Sequence, residues 1–535
     1  MGKRYPLRGA ALGTGLCLGA SLGMAGAHAA DFTVTSTQDD GGGGETTLRE
    51  ALQSAQDNDN PGTVDRILFE SGLSGTITLE VSQLPTIDEP LSILGPGAGT
   101  LAVSGGDSYR IFYPSAPTGT DVTIAGLTLT GGRSGNVPGG AIRKRFADLT
   151  IRDAVISDNA TTGVGGTGAG IFSLMGSLTI ESSTVSGNTT AAADTHGAGI
   201  YTREGSTTIE RSTISGNTMA GDDGHGAGVH AYYGPLTVRD STISGNHATG
   251  GGVPKGGGIL SYGDALTIER STISGNSVGG AGFGGGVFSF GGTVSITSTT
   301  ITGNSSGYAG GGVTTSGSSP SPLLSNTIVA NSTAPTDPDL RSSLDTFRLA
   351  FSLVEDPGGA SLVQAVPGSN LLGVDPALGP LAANGAPTRT HALAATSPAV
   401  DKGSASGPDQ RGRPRPVDVL TVSNGTAPGA NGADIGAFEL GYTPPRCAGR
   451  PATMLAGGGL ARGTPGADVI VGSRKRDVIR GRGGRDVICG RGGRDKLIGG
   501  KGRDKLLGGK GRDILRGGPG RDKLKGGPGR DRQIQ

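Results

Sequence analysis

The chain has 535 residues, of which 104 are glycine, with 4% aromatics, no tryptophan and 17% charged residues. These numbers exclude one compact globular core and fit thin, elongated repeat architectures, in which each unit buries its apolar face against its neighbours. A formal net charge of +1 hides a division: from Arg446 onward 23 Lys/Arg face 8 Asp, a net of +15, while the preceding residues carry 23 Lys/Arg against 37 Asp/Glu, a net of −14. Two parts of opposite sign are therefore expected.

Residues 1–29 read as an export signal: Lys3, Arg4 and Arg8 precede a Gly/Ala/Leu-rich run that ends in the small-residue cleavage site Ala27-His28-Ala29. A membrane span fits less well, because the run is short and rich in glycine. Cys17 follows Leu16 rather than a small residue, which argues against lipid anchoring. From Ala30 to residue 74 we expect an N-terminal cap, with a strand over Phe32–Ser36 and a short amphipathic helix over Thr46–Gln56. In that helix Leu48, Ala51, Leu52 and Ala55 recur at helical spacing. The text Thr46-Thr47-Leu48-Arg49-Glu50-Ala51 resembles the CSLREA motif at the start of many exported bacterial β-helix proteins, with Thr46 in place of the cysteine.

Residues 75–335 carry the first long period. Less regular strands over Gly75–Glu80, Leu91–Leu94 and Val122–Thr130 lead into a phrase whose clearest form is Ser-Thr-Ile-Ser-Gly-Asn. Its asparagines are Asn159, Asn188, Asn217, Asn246, Asn276, Asn304 and Asn331, spaced by 29, 29, 29, 30, 28 and 27 residues, the range of a solenoid coil. Three apolar, β-branched segments repeat in each period. They are represented by Ile171, Ile200 and Val229, by Leu178–Ile180 and Leu236–Val238, and by Ile214, Ile243 and Ile273. Each is short and alternates apolar with polar residues, so strands fit and helices do not. Three strands per coil make a right-handed parallel β-helix, with the asparagines at left-handed corners and their amides hydrogen-bonded in a column. A disordered Gly/Ser/Thr-rich stalk would have no need of registered isoleucines.

Residues 336–440 lose the period. The pieces Gly373–Leu381, Thr390–Leu393, Ser397–Asp401, Asp409–Gly412 and Asp434–Glu439, the last reading Asp-Ile-Gly-Ala-Phe-Glu, resemble the terminal section of the same exported β-helix proteins. The resemblance implies a folded end-cap, in which Asp409 and Arg411 could pair. Residues 441–462 read as a linker, with Tyr442–Pro445 at its centre.

Over residues 463–535 the period becomes nine. Asp468, Asp477, Asp486, Asp495, Asp504, Asp513, Asp522 and Asp531 recur at that spacing, and all but the last are followed two residues on by Ile or Leu. The four glycine-complete turns are Gly499-Gly500-x-Gly502, Gly508-Gly509-x-Gly511, Gly517-Gly518-x-Gly520 and Gly526-Gly527-x-Gly529, each closed by its Asp. Arg482 and Arg491 occupy the second position before Asp486 and Asp495, and Lys475 the fourth before Asp477. This register resembles the RTX, or haemolysin-type calcium-binding, repeat. The resemblance implies a parallel β-roll of eighteen-residue coils, with Asp468, Asp486, Asp504 and Asp522 along one edge and the other four along the opposite edge. Ca²⁺ takes six to eight oxygens, so one carboxylate per turn and the free carbonyls of Gly-rich turns would hold about six ions for eight motifs. Folding would then be coupled to binding. The fifth position is unusual for the family, being arginine before every Asp from Asp477 onward (Arg476, Arg485, Arg494, Arg503, Arg512, Arg521 and Arg530). A disordered RGG-like tail that binds anionic polymer is the competing reading. Cys447 and Cys489 form an even pair in an exported chain, which points to one disulfide; two free thiols are the alternative.

A catalytic reading rests on Asp194, His196, Asp223 and His225, two Asp-x-His pairs one coil apart, able in principle to bind a metal or act as acid and base. They sit in variable Gly/Ala-rich loops, and copying a repeat duplicates pairs automatically. His230 and His247 read as surface residues. The sequence thus predicts a secreted or cell-surface calcium-binding repeat protein, structural or adhesive, monomeric and without a membrane span. Its partners would be calcium and an anionic polysaccharide or cell-wall polymer rather than nucleic acid. A carbohydrate-active β-helix enzyme, a lyase or hydrolase with a calcium-dependent module, is the second reading.

Overall fold

A computed structural model of the chain describes residues 29–535, apart from 41–43, 59–62, 418, 420–421 and 442–444. The expected export signal, except for residue 29, and most of the Tyr442–Pro445 segment lie outside the described residues. The architecture is all-β, a right-handed parallel β-helix followed by a parallel β-roll.

Two long parallel sheets of 13 and 12 strands run the length of the β-helix. The Leu-Thr-Ile strands stack in the first, Leu149 on Leu178 and Ile151 on Ile180. The Thr-Ile-Ser strands stack in the second, Ile214 on Ile243. An eight-stranded sheet holds the Gly-flanked strands, with Ile171 on Ile200. Residues one period apart therefore lie in files, and the inward files of Ile, Leu and Val are fully buried. Each such side chain contributes about 1.5–3 kcal/mol by leaving water, a gain that exists only because the next coil covers it.

Three details depart from the expectation. Seven of the coils have a fourth strand of two residues, which from Ala160–Thr161 onward directly follows the asparagine, as at Thr189–Thr190, and these strands form a seven-stranded sheet. The left-handed corner residue is the glycine before the asparagine (Gly187 φ 65°, Gly216 φ 63°), not the asparagine itself. The asparagine side chain turns inward and builds the column: Asn188 Nδ2 donates to Asn217 Oδ1 and Asn217 Nδ2 to Asn246 Oδ1, both at 2.8 Å. The column runs from Asn159 to Asn304. Asn331 does not join it. Ser305 bridges to Thr333, so Ser332 takes the next place in the file, and Asn331 is exposed with φ 55°.

At the N-terminal end, Asp31–Val34 pairs in parallel with Asp65–Phe69 and so begins the 13-stranded sheet. The helix spans Leu48–Gln56. Thr47 caps it through a reciprocal box with Glu50, and Leu48, Ala51, Leu52 and Ala55 are buried against the core. After residue 335, strands as far as Leu371–Leu372 still extend the two long sheets. The remainder of the end segment leaves these sheets. It lies along the Thr-Ile-Ser sheet: Gln410 Nε2 donates to Thr242 Oγ1, Thr272 Oγ1 donates to Gln410 Oε1, and the Ala437 N–H donates to Thr300 Oγ1. Asp409 and Arg411 form a buried ion pair at 2.6 Å, with the guanidinium 3.6 Å from the Phe438 ring centre.

Candidate calcium turns

The roll consists of two five-stranded parallel sheets. Met454–Leu455 and Gly459–Arg462 supply their first strands, from within the stretch that the sequence leaves as a linker. The register is eighteen residues: Ile488 lies beside Leu506, and Leu497 beside Leu515. The inward file Ile470, Ile479, Ile488, Leu497, Leu506 and Leu515 is fully buried. This aliphatic stripe holds the two sheets together and leaves the turns to form the edges.

Each edge is a file of aspartates linked through the backbone. The Asp468 N–H donates to Asp486 Oδ1 at 2.8 Å, and the same bond joins Asp486 to Asp504 and Asp504 to Asp522. On the other edge Asp477, Asp495, Asp513 and Asp531 repeat it at 2.9 Å. One carboxylate oxygen is thereby committed to the fold. The second oxygens of Asp486, Asp495, Asp504, Asp513 and Asp522 are buried with no hydrogen-bond partner, which costs several kcal/mol for a charged group unless a cation or proton compensates. Burial pushes the Asp486 carboxyl up to about 7; the Asp468 N–H opposes the rise, while the neighbouring Asp504 and Asp468 carboxylates add to it. Asp495 is raised to about 6 for the same reasons, again chiefly burial.

Glycine at the first turn position keeps room beside this oxygen. A Cβ on Gly499 would lie 2.4 Å from Asp504 Oδ2 and 2.7 Å from the Gly517 carbonyl oxygen, and one on Gly508 would lie 2.6 Å from Asp513 Oδ2 and 2.5 Å from the Gly526 oxygen. A free carboxylate oxygen and a carbonyl from the next coil thus converge at the turns closed by Asp486, Asp495, Asp504 and Asp513. At the second and fourth positions the backbone is left-handed, as at Gly500 (φ 113°), Gly502 (φ 137°), Gly509 (φ 107°), Gly511 (φ 137°), Gly518 (φ 105°), Gly520 (φ 149°), Gly527 (φ 107°) and Gly529 (φ 149°). Arg482 and Arg491 are forced into the same region, at φ 82° and 74°. The donor set is all oxygen, one carboxylate per turn with backbone carbonyls, which is what a hard divalent cation requires. Among the described residues no three His, Cys, Asp or Glu side chains form a metal-holding group, so carbonyls would have to supply most of the ligands.

The first two turns differ. Asp468 Oδ2 accepts from the Thr464 N–H and Oγ1, and Asp477 Oδ2 from the Ser473 N–H and Oγ. A hydroxyl at the second position satisfies the oxygen that the later turns leave bare. The arginines at the fifth position, from Arg476 to Arg530, are all exposed. Cys447 and Cys489 are joined in a disulfide.

The Asp-x-His residues come together only in part. His196 and His225 stack with ring centres 5.2 Å apart, but Asp194 and Asp223 are exposed corner residues at φ 53°. Asp223 Oδ1 accepts the Val253 N–H. His230 is not at the surface: it is 3% exposed, its ring centre lies 5.1 Å from that of His196, and burial holds its pKa well below the ordinary value. It occupies the file of Phe172, Tyr201, Leu260 and Phe288, and those apolar counterparts are the signal in the sequence that would have placed it inside. His247 is half-buried, with Nδ1 2.7 Å from Ser277 Oγ.

Comparison with known proteins agrees with this geometry. A search of curated proteins returned no match. Among solved structures, a PL6 family alginate lyase, AlyGC, aligns over 93% of this chain and 72% of its own, with 11% identity and a TM-score of 0.32, values too low to bear on activity. The family model for the right handed beta helix region matches residues 169–336, and the model for the RTX calcium-binding nonapeptide repeat matches 462–497 and 498–532. The chain is thus a right-handed β-helix followed by RTX calcium-binding repeats.

Proposed function

We propose that this is a secreted or cell-surface protein of structural or adhesive role whose roll folds on binding calcium. The carrying observation is the buried, partnerless carboxylate oxygen that recurs in successive turns of both edges. Calcium would be held by Asp486, Asp495, Asp504, Asp513, Asp522 and Asp531 with carbonyls of the Gly-rich turns. Asp468 and Asp477 would contribute less, since Thr464 and Ser473 already serve their second oxygens. The export-signal text supports action outside the cytoplasm, where calcium is plentiful, and RTX repeats are typical of secreted proteins. Among the described residues no helix is long and apolar enough to cross a membrane. The basic exterior of the roll supports an anionic polysaccharide or cell-wall polymer as partner.

Calorimetric titration of the full chain with calcium tests the assignment. Asp504→Ala and Asp513→Ala, one on each edge, should each lower the stoichiometry, whereas Asp468→Ala should leave it within one ion of the parent. Unchanged uptake in both of the first two variants would refute the ligand set.

A further inference from the structure

The hairpin of Arg446–Cys447 and Arg450–Pro451 lies before the roll and is tied to it by the Cys447–Cys489 disulfide. Between this hairpin and the edge that carries Asp486 and Asp504 is a cleft of about 300 Å³. Arg450 comes from the hairpin, Arg485 and Arg503 from two successive turns, and Lys505 and Lys523 from the strands that follow; all five line the cleft. None of the five has an ion-pair partner among the described residues. The only anions on its wall are Asp486 and Asp504, buried at 0% and 1% exposure. Five cations gathered against mutual repulsion outnumber the two carboxylates, each with one oxygen bonded to the backbone, and leave a concave site of net positive charge.

We propose that this cleft takes an anionic group, carboxylate or sulfate, of an acidic glycan, and that the disulfide serves to hold Arg450 over the site. The proposal rests on the calcium reading of the roll, because calcium on the Asp486–Asp504 edge raises the positive charge of the cleft wall. Bound within a Debye length of that edge, about 8 Å at physiological salt, the anion and the cation favour each other. By linkage, the glycan raises calcium affinity by the factor by which calcium raises glycan affinity. Arg485 and Arg503 would then serve calcium binding when the glycan is present, rather than only opposing it.

The test uses the full chain with its disulfide intact, in calcium, titrated with oligogalacturonate, with sulfated dextran and with neutral dextran. The expected result is binding of one or both acidic glycans and none of the neutral one. The double variant Arg450→Ser/Lys523→Ser should bind at least tenfold more weakly, while Arg494→Ser/Arg512→Ser on the opposite edge should change the Kd less than twofold. Calcium stoichiometry, measured on the same samples, checks that each variant is folded. Equal weakening by both double variants, or an unchanged Kd in the first, with calcium uptake intact, would overturn the cleft and leave the calcium reading standing. A parent chain that takes up no calcium would overturn the calcium reading itself.

Discussion

At the scale of single residues, the molecule spends its polar side chains on columns rather than on isolated contacts. Asn217 donates to Val185 O and Asn246 Oδ1, and its own Oδ1 accepts from the Asn188 backbone and side chain, all in the buried interior. Asn217→Ala strands those partners in an apolar setting and should destabilise the β-helix by about 3 kcal/mol. Asn331→Ala, outside the column, should cost less than about 0.5 kcal/mol; urea midpoints of the two variants give the comparison. In the roll, Arg482 and Arg491 hold a left-handed conformation that their counterparts Gly500 and Gly509 adopt without penalty. That conformation costs about 1–2 kcal/mol for a side-chain-bearing residue, part of which glycine gives back as unfolded-state entropy. Arg482→Gly should therefore stabilise the calcium-loaded roll by about 0.5–1 kcal/mol, read as a higher denaturation midpoint in saturating calcium.

At the scale of elements, the end segment lies on the flank of the β-helix and holds a cluster of buried acidic groups within itself. Glu439 accepts from the Val417 and Asp434 N–H groups, and Asp434 from the Asp401 and Leu440 N–H groups. Burial outweighs these bonds and raises Glu439 to about 7 and Asp434 to about 6. The folded segment therefore keeps protons that the unfolded chain releases near pH 4. Its stability is highest below that pH and declines as the pH rises toward 7. Denaturant midpoints at pH 5 and 7.5 should fall in the parent and fall less in Glu439→Gln, which stays neutral throughout. A steeper fall in the variant would contradict the assignment. Little of this was legible beforehand: the Asp409–Arg411 pair could be read from spacing, but the segment's place along the Thr-Ile-Ser sheet depends on long-range contacts with no period to announce them. The two-residue strands are not legible for a related reason, since two residues cannot display an alternation. His230 on its own reads as a surface residue, and only its file with Phe172 and Tyr201 marks it as buried. The inward files, the asparagine column as far as Asn304 and the two aspartate edges were legible because periodic text maps directly onto stacked coils.

At the scale of the whole molecule, two solenoids of opposite charge follow one another, and they are stabilised by different means. The β-helix buries files of isoleucine, leucine and valine. The roll has one narrow aliphatic stripe, and its edges bury carboxylate oxygens that only a bound cation or a proton can satisfy. Metal binding and folding should accordingly be one event in the roll and independent events in the β-helix. Amide hydrogen exchange on the full chain, in millimolar calcium and then in excess chelator, tests this most directly. Protection over residues 463–531 should be present in calcium and lost in chelator, with residues 169–336 protected alike in both; equal protection of the roll under the two conditions would contradict it.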